Sequence, residues 1–250
     1  MLEMLKLGDD VQQEVEKDTL GGGGVFNSDI YTFTIKAAYF DSAKSKAISL
    51  NLILETSNGR KLNYQEYITS GEAKGCKPYY EKDGKKYPLP GYSKMNTLCL
   101  LATGQPIDQL SADDKILKLY DYDAKKETNQ SKKVITELTG KVIKAGVFKL
   151  IVDKKSKNDN FDPDQPVSKT NERYISTGET REENTVDKFF NEEGATLEEH
   201  TEKKEPVFFE EWLKAHQGKV KDKSTKTASG TQAGAPALGG SAATTQLSFN

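Results

Sequence analysis

The chain has 250 residues, 35% hydrophobic and 30% charged, with a mean hydropathy of -0.71. That length allows one large domain or two small ones, but so polar a composition points to one packed domain of moderate size plus solvated segments. A formal net charge of -2 and a pI near 5.9 argue against a dedicated duplex-DNA binder, which would be more basic.

Residues 1–24 read as a flexible leader. The Gly21–Gly24 run has no Gly-Lys-Ser/Thr after it, so it predicts a hinge and not a phosphate loop. From Ile30, the residues Tyr31, Phe33, Ile35, Ala37 and Tyr39 alternate with Thr32, Thr34, Lys36 and Ala38, a strand pattern. Ile48, Leu50, Leu52 and Leu54 mark a second strand. Asn58-Gly59 predicts a tight hairpin, and a third strand returns near Lys61–Ile68. Residues 70–92 read as a long loop broken by glycine and proline. A helix is expected over 93–103, with Ser93 as N-cap and Gly104 ending it in the αL conformation. Further strands are expected near Lys115–Asp121, Val134–Leu138, Lys141–Ala145 and Val147–Asp153, with bends at Gly140 and Gly146. Residues 154–206 read as a polar, acidic, irregular extension, 207–217 as a C-terminal helix, and 218–250 as a disordered tail rich in Gly, Ala, Ser and Thr.

Three strands, a helix, then further strands is the order of an OB-fold, a five-stranded Greek-key barrel whose usual ligands are oligonucleotides or oligosaccharides. The expected fold is therefore mainly β: an OB-fold-like barrel over 25–217 with a helix between the third and fourth strands. The apolar runs are too short to cross a membrane or to form a signal peptide, so a cytoplasmic protein is expected.

Charge is unevenly distributed. Glu72–Lys94 holds six lysines against three acids, whereas Glu179–Glu211 holds twelve acids against four bases. The basic stretch interleaves Lys74, Lys77, Lys82, Lys85 and Lys86 with Tyr79, Tyr80, Tyr87 and Tyr92. Single-stranded nucleic acid calls for this mixture, because cations track phosphates and aromatic rings stack on unpaired bases. Lys44 and Lys46 in the first turn and Tyr67 on the third strand extend the candidate site. Lys125, Lys126, Lys132 and Lys133 flank a further loop.

Little predicts catalysis. The chain has no Gly-x-Ser-x-Gly, no Walker loop and no His-Glu-x-x-His. Two cysteines, Cys76 and Cys99, and two histidines, His200 and His216, are too few and too scattered for a disulfide framework or a zinc site. No metal, no cofactor and no enzyme activity are expected. The clustered acids, Glu182, Glu183, Glu192, Glu193, Glu198 and Glu199, read as a solvated segment. With Phe208, Phe209 and Trp212 of the last helix they define the alternative, a protein-interaction adaptor.

Five strings carry a family resemblance: Tyr67-Ile-Thr-Ser-Gly71, Pro78-Tyr-Tyr-Glu-Lys-Asp-Gly84, Tyr87-Pro-Leu-Pro-Gly-Tyr92, Tyr120-Asp-Tyr-Asp-Ala124 and Thr177-Gly-Glu-Thr-Arg-Glu-Glu-Asn184. From about Asp29 to Gly218 the chain resembles single-stranded DNA-binding proteins of tailed bacteriophages. The resemblance implies an OB-fold core that coats single strands during phage replication or recombination. It also implies recruitment of the replication polymerase and helicase by an acidic tail with a terminal aromatic residue. Here the chain departs from the pattern: Thr244–Asn250 holds Phe249 but no acid.

Overall fold

The computed structural model describes residues 24–225 apart from 122, 123, 163, 166 and 169. The expected leader up to residue 23 and the expected tail beyond residue 225 lie outside the described residues.

The expected meander is present: β1 (Asp29–Ser42), β2 (Ile48–Glu55) and β3 (Lys61–Tyr67) pair antiparallel in sequence order. The alternation along β1 changes phase, however. A register shift between Ile35 and Ala37 turns the core-facing set from Phe33 and Ile35 to Ala38 and Phe40. A β-bulge inserts one residue and so flips every side chain beyond it to the other face. Ala38 and Phe40 then meet Leu52 and Leu50 across the pair, and Tyr39 joins Asn51 and Gln65 on the outer face. The second hairpin also differs from expectation. Gly59 has φ +80 but Asn58 does not have positive φ, and the Gly59 N–H closes a four-residue turn on the Thr56 carbonyl at 2.9 Å.

The predicted loop 70–92 is largely regular. It holds a 3-10 turn at Glu72–Lys74, the hairpin β4 (Tyr79–Lys82) and β5 (Lys85–Pro88), and the start of α1 (Pro90–Thr103). The helix starts at Pro90 rather than Ser93, because proline suits the first helical position, where its missing N–H costs nothing. Gly104 ends it with φ +76, as expected. A long ribbon follows, β6 (Asp113–Asp121) and β7 (Lys126–Val134). The second of these has no apolar period to betray it. Thr136–Leu138, expected as strand, is a 3-10 turn.

β8 (Val142–Lys157) is one continuous strand. The strand runs through Gly146 without a break, but its pairing with the next strand shifts register between Gly146 and Val147, and a Cβ at Gly146 would lie 2.8 Å from Cε2 of Trp212. β9 (Tyr174–Phe190) pairs along β8, which replaces the expected irregular acidic extension with a 17-residue strand. Two helices follow, α2 (Leu197–Glu202) and α3 (Phe208–His216). Residues 220–222, expected within the tail, form β10 (Val220–Asp222), which pairs parallel with Lys149–Ile151 of β8, on the stretch beyond the part that pairs β1.

These strands form one eight-stranded sheet, mostly antiparallel, with β4–β5 as a separate two-stranded sheet. The fold is mainly β, as expected, but the sheet is open. β3 and β9 are not paired, and the barrel does not close. Inside the curve lies the main core, in which Phe33, Leu50, Leu52, Leu54, Ile143 and Val147 surround Met95, Leu98 and Cys99 of α1. Burial in this apolar setting pushes the Cys99 thiol up to about 12. The opposite face of β8 carries Phe148 and Leu150 into a second core with Phe190 and Trp212. There Trp212 stacks on Phe148 at 5.2 Å and donates its indole N–H to Asp187 at 2.8 Å.

Side chains bridge the gap between β3 and β9. Lys94 of α1 donates to the Tyr64 hydroxyl, to Glu66 Oε1 and to the Val186 carbonyl, each at 2.9 Å. The Tyr64 hydroxyl also bonds Glu66. Burial, then the neighbouring Glu66, holds its pKa far above the ordinary phenol range.

Glu199 performs a similar service for the helices. Its carboxylate accepts the N–H of Thr196 and the N–H of Phe208, both at 2.8 Å, which ties α2 to the start of α3. Burial alone would raise its pKa, but these backbone donors outweigh that and lower it.

Lys94→Ala should cost about 2–3 kcal/mol in urea unfolding, because it leaves the single Tyr64 hydroxyl proton to serve both the half-buried Glu66 carboxylate and the Val186 carbonyl. Glu199→Gln should cost about 1–2 kcal/mol at pH 7. A carboxylate whose folded pKa is depressed stabilises above its unfolded pKa of about 4.3, and that contribution is lost as pH falls through the folded value. The gap between Glu199→Gln and the parent should therefore narrow below about pH 4.3 in thermal melts.

Candidate nucleic-acid interface

The basic stretch is held by its base. The β1–β2 turn reverses at Lys46, in the αL conformation with φ 59. On it sits the 3-10 turn: the Glu72 N–H donates to the Ser45 carbonyl at 2.7 Å, and Lys46 pairs with the Glu72 carboxylate. The Ser70 N–H donates to the Lys77 carbonyl at 2.8 Å, and the Lys77 N–H returns to the Ser70 hydroxyl at 2.9 Å. On the other side, the start of α1 presses on the end of β3 so closely that a Cβ on Gly91 would lie 2.3 Å from the Tyr67 carbonyl. Between these two anchors stands the β4–β5 hairpin. Its turn residues Asp83 and Gly84 have φ 53 and 71, the tight reversal that matches strand twist.

Pairing puts Tyr80 opposite Tyr87 and Lys82 opposite Lys85. Strand alternation places all four on one hairpin face. The two rings stack at 5.6 Å with planes 24° apart, and remain 46% and 40% exposed. The other face carries Tyr79, with the ammonium groups of Lys86 and Lys77 at 4.8 and 5.5 Å from its ring centroid. Beside Tyr79 a groove of about 680 Å³ runs between the hairpin and the 3-10 turn, lined among others by Ser45, Ser70, Lys74 and Lys77.

Two of the seven candidate lysines are neutralised: Lys46 by Glu72, and Lys77 by Glu81 at 3.6 Å. Lys44, Lys74, Lys82, Lys85 and Lys86 take part in no ion pair among the described residues. Tyr67 ends β3 on the outer face, 47% exposed, beside the polar row Ser49, Asn51 and Gln65. In that row both Asn51 and Gln65 donate to the Ser49 hydroxyl, at 3.0 and 2.9 Å. The sequence places Gln65 beside Tyr67 on one face of β3; it did not extend the row to Ser49 and Asn51, although both alternate with Leu50 and Leu52. Tyr92 is not on the hairpin. It lies on α1 and packs against the main core, and burial raises its pKa, so it is not part of the exposed platform. Lys132 and Lys133 are committed to Asp41 and Asp114, at 2.9 and 3.0 Å.

Glu182 pairs with Lys149, Glu179 with Lys154 and Glu183 with Arg181, at 2.8, 2.8 and 3.0 Å. No group of three or more His, Cys, Asp or Glu among the described residues is arranged to hold a metal ion. No helix among them is long and apolar enough to cross a membrane.

Tyr80→Ala with Tyr87→Ala removes two exposed rings and should move the melting temperature by no more than about 2 °C, whereas Tyr92→Ala should lower stability by about 2 kcal/mol or more. Differential scanning fluorimetry and urea titration of the two variants check the contrast. No protein-family model matches the chain, and no curated protein matches it either.

Proposed function

We propose that the protein binds single-stranded DNA without regard to sequence and protects it during phage DNA replication or recombination. The observation that carries this reading is the hairpin face on which Tyr80 and Tyr87 stack beside Lys82 and Lys85, with no acid among the four. Bases have π faces whatever their identity, so exposed tyrosines hold single strands and not a stacked duplex. The unpaired lysines neutralise phosphates and release counterions.

The order of elements supports the finer reading of the fold as an OB variant. A three-strand meander leads into a helix, and a later strand, β8, returns to pair β1. In such folds the face of strands 2 and 3 and the first turn form the ligand surface. Here Tyr67, Asn51, Gln65 and Lys44 occupy that surface, next to the hairpin. No metal or cofactor enters this mechanism. Recruitment of a polymerase or helicase remains part of the proposal only through the resemblance. The adaptor reading loses its main support, since Trp212 and the apolar side of α3 are committed to β8 and β9.

Fluorescence polarisation with labelled oligo-dT and with duplex, across a salt series, tests the proposal. Single-strand affinity should exceed duplex affinity and fall with log salt at a slope near 3, as expected if four or five lysines each neutralise a phosphate. Lys82→Glu with Lys85→Glu should flatten the slope by about 1.4. Tyr80→Ala with Tyr87→Ala should weaken oligo-dT binding about tenfold or more at constant slope. Equal affinity for duplex and single strand, or no binding at low salt, would overturn the reading.

A further inference from the structure

The β6–β7 ribbon joins the main sheet only through the end of β7, which pairs Tyr39 and Phe40 of β1, and is unusual in its own right. One edge of β6 pairs along its length with β7, and the stretch Asp113–Leu119 takes no strand on its other edge among the described residues. Its outward face shows Asp114, Ile116 and Lys118 in a row. Ile116 is 75% exposed, more than any other large hydrophobic residue described. A bare edge with a bare isoleucine is a template for another strand.

The sequence of β6 selects the partner. Antiparallel self-pairing about Ile116 sets Ile116 against itself and Asp114 against Lys118 on both sides of the axis. Each of these charges already has a partner across its own ribbon: Lys133 pairs with Asp114 at 3.0 Å, and Glu127 with Lys118 at 2.9 Å. Joining two ribbons then makes a line of alternating charge: Lys133, Asp114, the second copy's Lys118 and the second copy's Glu127. Neighbouring registers do worse. Centring on Leu117 puts Ile116 opposite a lysine and Asp113 opposite Asp121, and centring on Lys115 or on Lys118 opposes two lysines. Like charges directly opposite destabilise a ladder, and opposite charges with β-branched pairs stabilise it.

We propose that β6 pairs antiparallel with β6 of a second copy about a two-fold axis at Ile116, joining two ribbons into one four-stranded sheet. The contact is isologous and therefore closes at two copies. Its strand pair is short, which puts it at the weak, concentration-dependent end of protein interfaces. Each dimer then carries two of the tyrosine–lysine hairpins.

Sedimentation velocity of the full chain without nucleic acid, across the micromolar range, should show a monomer–dimer equilibrium. Ile116→Asp, at a position too exposed to harm folding, places two carboxylates on the axis and should weaken the dimer about tenfold or more. Cysteine cross-linking reads the register. In a Cys76→Ser background, Ile116→Cys should form an oxidised dimer, whereas Tyr120→Cys, which falls opposite Ala112, should not. A chain that stays monomeric throughout overturns the proposal. So does a dimer indifferent to Ile116→Asp, or cross-linking as efficient at position 120 as at 116. The measurements are made without DNA, so their outcome is separate from the outcome of the binding assay.

Discussion

The Lys94 ammonium bridges the opening in this sheet, beside a direct bond from the Tyr64 hydroxyl to the Val186 carbonyl at 3.2 Å. The sheet curls until β3 and β9 face one another, but no ladder of backbone hydrogen bonds joins them. Lys94 sits in the opening and spends its three donors on Tyr64, Glu66 and the Val186 carbonyl, one helix reaching two strands at once. An unpaired charge at this depth would be costly, so the lysine is held only because every proton has an acceptor. The same closure fixes where α1 begins. Gly91 lies against Tyr67, so the helix start, the end of β3 and the root of the β4–β5 hairpin move as one block. The exposed tyrosines thus stand on a rigid footing although the hairpin itself buries almost nothing.

The charge pattern of the chain is resolved by pairing. Acids of the 179–183 stretch lie across or along β8–β9 from Lys149, Lys154 and Arg181, where they settle a ribbon that has little apolar surface of its own. Exposed pairs of this kind are each worth little, so their effect is on net field more than on stability. Lysines of the hairpin face have no such neighbours. The molecule is almost neutral overall, yet one local surface keeps its positive potential.

Strong periodicity made the meander, α1 and α3 readable from sequence, since leucines at 50, 52 and 54 and the aromatic face of 208–212 each imply one element. What escaped had physical causes. The bulge in β1 changes parity without any glycine or proline to announce it. β7 (KETNQSKKV) and the outer half of β9 are polar on both faces because each lies in a two-stranded ribbon, so no core imprints a period on them. Asp83-Gly84 carried the signal for the β4–β5 hairpin, but the surrounding prolines and glycines masked it. Among candidate site residues, the tyrosines at 79, 80 and 87 do gather on one hairpin with the lysines between them. Tyr92 could not be told apart from them, because it is the following helix that turns it inward.

The bulged first strand also imposes an order of events on the growing chain. Its far half is matched at once by β2, but Phe33 and its neighbours toward Asp29 find their partner only when Val142–Val147 arrives, after the hairpin, the helix and the long ribbon have all been made. Such distant pairing is slow, because the closure entropy of the intervening chain must be met before the contacts reward it. Until β8 docks, that half of β1 is an apolar, unzipped strand edge, the kind of surface on which incomplete chains mispair.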